Sequence, residues 1–131
     1  MKKLILIITL LVSIVMFSSP SYSEWTKLSK NMMGNIFYVD FERLRKNSGY
    51  VYWWDMVDYL KITDQGILSH KQYRQGDCKL FRYKVLDYIF YKEPMGGGKP
   101  ISVKPHGEYK DWQYPPPNSS MEDVLKAVCS Q

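Results

Sequence analysis

The sequence predicts an α+β fold: an antiparallel β-sheet of about six strands with one C-terminal helix packed on a face of it. Two observations predict it. From Trp25 onward, short runs rich in β-branched and aromatic residues alternate with turn residues, and only the last dozen residues switch to a helical period. The chain has 131 residues, 45% of them hydrophobic, with 11 Tyr, 5 Phe and 4 Trp, which is apolar material for one packed domain and not for several. A multidomain enzyme and a disordered chain are both excluded on that basis.

The N-terminus reads as an address. Lys2 and Lys3 precede an apolar run from Leu4 to Phe17, and Ser21 and Ser23 stand at the two small positions of a cleavage site. The run is shorter than the roughly 20 residues that a membrane-spanning helix needs, and Pro20 follows it. Residues 1–23 are therefore expected to be a cleaved secretory signal peptide and residues 24–131 a single domain, exported to the periplasm or secreted, with no transmembrane segment after cleavage. No cysteine lies near the end of the apolar run to accept a lipid there. Removing Lys2 and Lys3 leaves sixteen cations against thirteen anions, a net charge of +3 spread along the chain, which does not point to nucleic acid.

The first strand is read over Asn35–Asp40, with Asn47-Ser48-Gly49 as the turn after it. Tyr50–Leu60 follows and is apolar at both odd and even positions, the signature of a central strand. Asp64-Gln65-Gly66 and Gln75-Gly76-Asp77 read as turns bracketing a short strand over Ile67–Tyr73. Cys78–Tyr91 reads as one long, bent strand with a bulge near its middle. Glu93–Pro100 is then a glycine-rich flexible loop and Ile101–Lys104 a short returning strand. Gly98-Lys99 after further glycines lacks the Ser or Thr and the helix of a phosphate loop, since Pro100 comes next. Ser119 and Glu122 form a capping box, and Met121, Val124, Leu125, Val128 and Cys129 recur at helical spacing. Pro115-Pro116-Pro117 reads as a stiff lead-in to that helix, with a docking motif for another protein as the alternative.

Two cysteines in an exported chain imply one disulfide, Cys78–Cys129, closing a 51-residue loop worth roughly 4 kcal/mol. A Cys nucleophile served by His70 or His106 lacks an activating motif, and neither a C-x-x-C nor a paired-His spacing supports zinc. Asp55 and Asp58 are three apart on a strand and so face opposite sides, which is wrong for a carboxylate pair. No catalytic residue, metal site or cofactor is assigned.

With these elements placed, the chain resembles the surface-adhesin protein E family of exported bacterial proteins. The resemblance is carried by Tyr38-Val39-Asp40, Gly49-Tyr50-Val51-Tyr52, Gly76-Asp77-Cys78, Arg82-Tyr83, Met95-Gly96 with Gly98, Trp112-x-Tyr114-Pro115 with Ser119-Ser120, and Cys129. It implies a helix tethered to one sheet face by Cys78–Cys129, and an adhesin role that includes binding host matrix and serum proteins.

About ten helical residues span about 15 Å, whereas fourteen strand residues span about 45 Å, so one helix leaves part of the sheet uncovered. Lys79, Arg82, Lys84 and Lys92 interleave with Phe81, Tyr83, Tyr88 and Tyr91, an arrangement suited to an acidic protein, a glycan or another flat anionic partner such as a surface polymer. The plain structural reading is that these aromatics are core and the cations a solvated face. The leading expectation is thus an exported, non-catalytic, adhesin-like binding module of the bacterial envelope with a protein or anionic polymer as partner. The alternatives are a periplasmic structural component that forms a homodimer through the uncovered sheet, and a small-ligand binder, for example of haem through Tyr, His70, His106 or Met95.

Overall fold

The computed structural model describes residues 24–131, so the expected signal segment, residues 1–23, lies outside the described residues. Among those described, six strands form an antiparallel sheet in simple sequence order: β1 (Thr26–Lys30), β2 (Ile36–Asn47), β3 (Tyr50–Asp58), β4 (Ser69–Asp77), β5 (Arg82–Tyr91) and β6 (Ile101–Val103). A helix, α1 (Ser120–Cys129), ends the chain. β3, apolar on both sides, is an interior strand paired to β2 and β4, as its pattern requires.

Cross-strand partners share a face, so the register sorts the side chains. Val39, Val51, Trp53 and Tyr83 project to one side and meet Val124, Leu125 and Val128 of α1 in the apolar core. The cap of α1 is half of the expected box: Ser119 Oγ accepts the Glu122 N–H at 3.1 Å, while Glu122 reaches back to the N–H of Asn118 rather than of Ser119. Cys78 and Cys129 are bonded, with S–S 2.06 Å, tying the end of α1 to the β4–β5 turn.

Several strand boundaries differ from the sequence reading: β1 has no counterpart in it, and β2 runs past Asp40 to Asn47. Gln75-Gly76-Asp77 is strand, not turn, and Cys78–Phe81 is turn, not strand. Asp77 explains that turn, because its carboxylate accepts the N–H groups of Lys79 and Leu80, both at 3.2 Å, and so curls the chain one step later. Gly76 explains the strand before it: a Cβ there would lie 2.7 Å from Trp53 Cζ3, so this glycine admits the core indole and marks no turn. The expected bulge in β5 is present, since Tyr73 opposes Asp87 while Arg74 opposes Val85, leaving Leu86 extra. The Glu93–Pro100 loop is pinned to the sheet, with Met95 N–H donating to Asp58 and Gly96 N–H to Ser69 Oγ.

Candidate functional site

The face turned away from α1 carries Tyr50, Tyr52, Trp54, Met56, Tyr73, Gln75 and Lys84, placed there by strict alternation along β3, β4 and β5. Met56 is fully buried, but Tyr50, Tyr52, Trp54 and Tyr73 are only half-buried. Trp54 stacks on Tyr73 with centroids 5.1 Å apart, and Tyr52 lies 6.3 Å from the same ring. This face is therefore an aromatic ladder whose rings cover one another.

At one end of the ladder Trp112 crosses the sheet. Gln113 bridges to Tyr83 through two backbone hydrogen bonds, which extends the chain before Pro115 and directs Trp112 to the open face. The indole stacks on Tyr50 at 5.8 Å and receives two cations, the Arg82 guanidinium at 4.4 Å and the Lys84 ammonium at 4.7 Å. Arg82 is also paired with Asp77 at 3.0 Å. At the other end, the Lys71 ammonium lies between the rings of Trp25 and Tyr91. Burial, with Arg43 adding to it, lowers the Lys71 pKa against the opposing pull of Asp40.

Of the residues singled out from the sequence, Arg82 and Lys84 converge on Trp112. Lys79 is exposed in the β4–β5 turn, and Lys92 is exposed just beyond β5. Tyr83 faces the other way, buried under α1 with the Arg74 guanidinium 5.0 Å from its ring. Tyr88 also lies on the α1 side, stacked on Phe90 and edge-on to Tyr109. Trp112 was missed as part of a site, because in sequence it belongs to the proline lead-in. The signal available was its position two residues from Tyr114 in a segment too polar to be core.

Beyond the reach of α1 the same side of the sheet turns polar inside. Asp55 is fully buried, accepts Trp53 Nε1–H at 2.8 Å and pairs with Arg74 at 2.6 Å. Burial raises its pKa, and Arg74 and Trp53 oppose the rise. His70 is held at both ring nitrogens, by the Tyr59 hydroxyl and by Gln72 at 2.6 Å. Burial, aided by Arg74, lowers its pKa to about 3, while burial next to Tyr88 raises Tyr59 to about 12. Neutral His70 thus spends its donor and its acceptor internally. Of the side chains considered for a haem, His70 is on the α1 side and Met95 over the opposite face, so these two do not converge, and His106 is exposed. Among the described residues no cluster of three His, Cys, Asp or Glu could hold a metal, and no helix is long and apolar enough to cross a membrane.

This fold has counterparts. Residues 25–130 match the family described as Surface-adhesin protein E. The chain belongs to that family. Solved structures of Haemophilus influenzae protein E share the fold at 19% identity. One, crystal form II, has a TM-score of 0.61 and covers 85% of this chain and 91% of its own. A second has a TM-score of 0.60 and covers 85% and 87%. Protein E from non-typeable Haemophilus influenzae gives 0.57 over 86% and 79%. No curated protein matches the chain. Membership of the surface-adhesin protein E family makes this an adhesin-like surface protein, with the antiparallel sheet and the disulfide that the family resemblance implied.

Proposed function

We propose that the chain, processed after Ser23, is an exported, non-catalytic adhesion module that captures a protein or an anionic surface polymer on the sheet face that α1 leaves open. The observation that carries this reading is the cluster of Arg82, Lys84, Trp112 and Tyr50, continuous with the ladder of Tyr52, Tyr73 and Trp54. Aromatic and arginine side chains dominate binding energy at interfaces because they present large, rigid area with a charge or dipole at its edge. Here the rings are preordered by stacking, so a partner need not bear the cost of fixing their rotamers. Lys79, at the rim, adds long-range attraction for an anionic partner, as do Lys92 and the other surface lysines. Tyr83 and Tyr88 point away from this face, to the α1 side of the sheet.

The test is capture of the mature protein on immobilised extracellular-matrix proteins and on its own envelope fraction. Arg82→Glu with Lys84→Glu should weaken capture by about tenfold or more and flatten its dependence on salt, and Lys84→Glu alone, which spares the Arg82–Asp77 pair, should weaken it in part with the thermal melt little changed. Capture that the double substitution leaves unaltered would remove this face from the function.

A further inference from the structure

The sheet has two edges, and they are treated differently. β1 is broken by a register shift between Lys27 and Ser29, and Ser29 Oγ is tied to Ser120 and Asp123 of α1. β6 pairs with β5 on one side only, and Ile101, Ser102 and Val103 are all exposed. In an antiparallel ladder the amide groups not used by the one neighbour point away from it, so among the described residues the outer side of β6 presents donors and acceptors that no strand pairs with.

Beside that edge, on the α1 side of the sheet, are two apolar hollows. One, of about 390 Å³, is bounded by Ile67, Phe90 and Ile101. The other, of about 270 Å³, is bounded by Tyr88, Phe90, Val103 and Tyr109. Ile101 opposes Phe90 and Val103 opposes Tyr88, so the hollows sit two residues apart along β6. That is the repeat at which alternate side chains of a strand return to the same face, about 6.5–7 Å. Ile101 and Val103 are 42% and 40% exposed, more than an edge strand needs if nothing is to lie against it.

From this juxtaposition we infer that β6 is a docking edge for an extended segment of another protein, which adds a seventh strand and drops two alternate apolar side chains into the paired hollows. Charge selects the occupant. Residues 92–110 around the edge carry four lysines against two glutamates, and Lys99 and Lys104 flank β6 directly. Lys104 keeps an 80% exposed side chain although it pairs with Asp87. A segment with acidic residues beside its apolar ones is therefore favoured. A second copy is less favoured: β1 carries Lys27 and Lys30 and β6 lies between Lys99 and Lys104, so both edges of a partner copy are cationic, as this edge is. Pro100 and Pro105 close the edge at both ends and keep the added strand short. Main-chain bonds would supply affinity and the hollows specificity, the usual division in strand addition. This inference goes beyond the reading above, because it concerns a second surface, the β6 edge and the α1 side beside it, rather than the open face.

The probe is a capped hexapeptide alternating valine with glutamate, titrated into the mature protein and followed by backbone amide NMR. Binding should shift and protect the amides of Ile101–Val103, and Val103→Glu should weaken it by about tenfold or more with the melt unchanged. Two further peptides, N-methylated at one or the other set of alternate amides, should split: one register abolishes binding and the other retains it. A lysine-for-glutamate peptide should bind at least about tenfold less. Equal binding of both methylated peptides, shifts centred elsewhere, or no binding at millimolar peptide would overturn the inference. So would protection of β6 that grows with protein concentration alone, which would assign the edge to a second copy. Matrix capture by the wild type, run in parallel, separates the two readings: intact capture with no peptide binding sinks only the edge, whereas absent capture sinks the adhesion reading itself.

Discussion

The two faces of the sheet draw on the same aromatic side chains and use them in opposite ways. Toward α1, Trp53 and Tyr83 are closed off by Val124, Leu125 and Val128, and the face is core. On the far side, Trp54 and Tyr73 have no covering helix or strand among the described residues and shield each other by stacking, so the face stays half-open and rimmed with cations. Neighbours in sequence, Trp53 and Trp54, are thereby divided between stability and recognition. Burial by a helix converts an aromatic into a structural member, whereas burial by another ring leaves its edge available to a partner.

If α1 is what separates the faces, releasing it should erase the difference. Replacing Cys78 and Cys129 together by serine frees a 51-residue loop and should cost about 4 kcal/mol, seen as a large fall in the denaturant midpoint. A loss below about 1 kcal/mol would mean that apolar packing alone holds α1 in place.

Gly76→Ala tests the covered face without touching α1. The added methyl would meet Trp53 Cζ3 at 2.7 Å and Val51 Cγ1 at 2.9 Å, so overpacking should cost about 1–3 kcal/mol while capture at the open face is retained. Loss of capture out of proportion to stability would show that the two faces are coupled through β3 and β4.

The remaining test concerns pH. His70 has a folded pKa of about 3 against an ordinary 6.5, so the unfolded chain binds the proton first. Its contribution is complete above pH 6.5 and is lost as pH falls toward 3, with a slope no steeper than about 1.4 kcal/mol per pH unit. Asp55 acts with the opposite sign, because its raised pKa makes the folded state hold the proton longer as pH rises. Comparing wild type with His70→Phe between pH 4 and 7 isolates the histidine: the variant should lose less stability on acidification. Parallel curves would mean that His70 is not kept neutral by the fold.

Much of this was legible in the sequence because it depends on local chemistry. The period of β3, the Ser119 cap and the apolar stripe of α1 each follow from a few neighbouring residues, and the bulge in β5 from an alternation that fails in its middle. The β4–β5 boundary was misread because Gly76 looks like punctuation until Trp53 is seen above it. The grouping of Lys79, Arg82, Tyr83, Lys84, Tyr88 and Lys92 came from adjacency in sequence. A strand places adjacent side chains on opposite faces, and the extra residue Leu86 then shifts the phase between Tyr83 and Tyr88.

What the sequence determined by itself was the inventory: strands, one amphipathic helix, a single pairing for two cysteines, and the family to which they belong. Tertiary structure alone decided that Trp112 lies across Arg82 and Lys84, that His70 is silent near neutral pH, and that β6 ends the sheet beside two hollows. Local periodicity says which residues share a face; which face is covered depends on contacts between residues far apart in the chain, and no short window of sequence contains them.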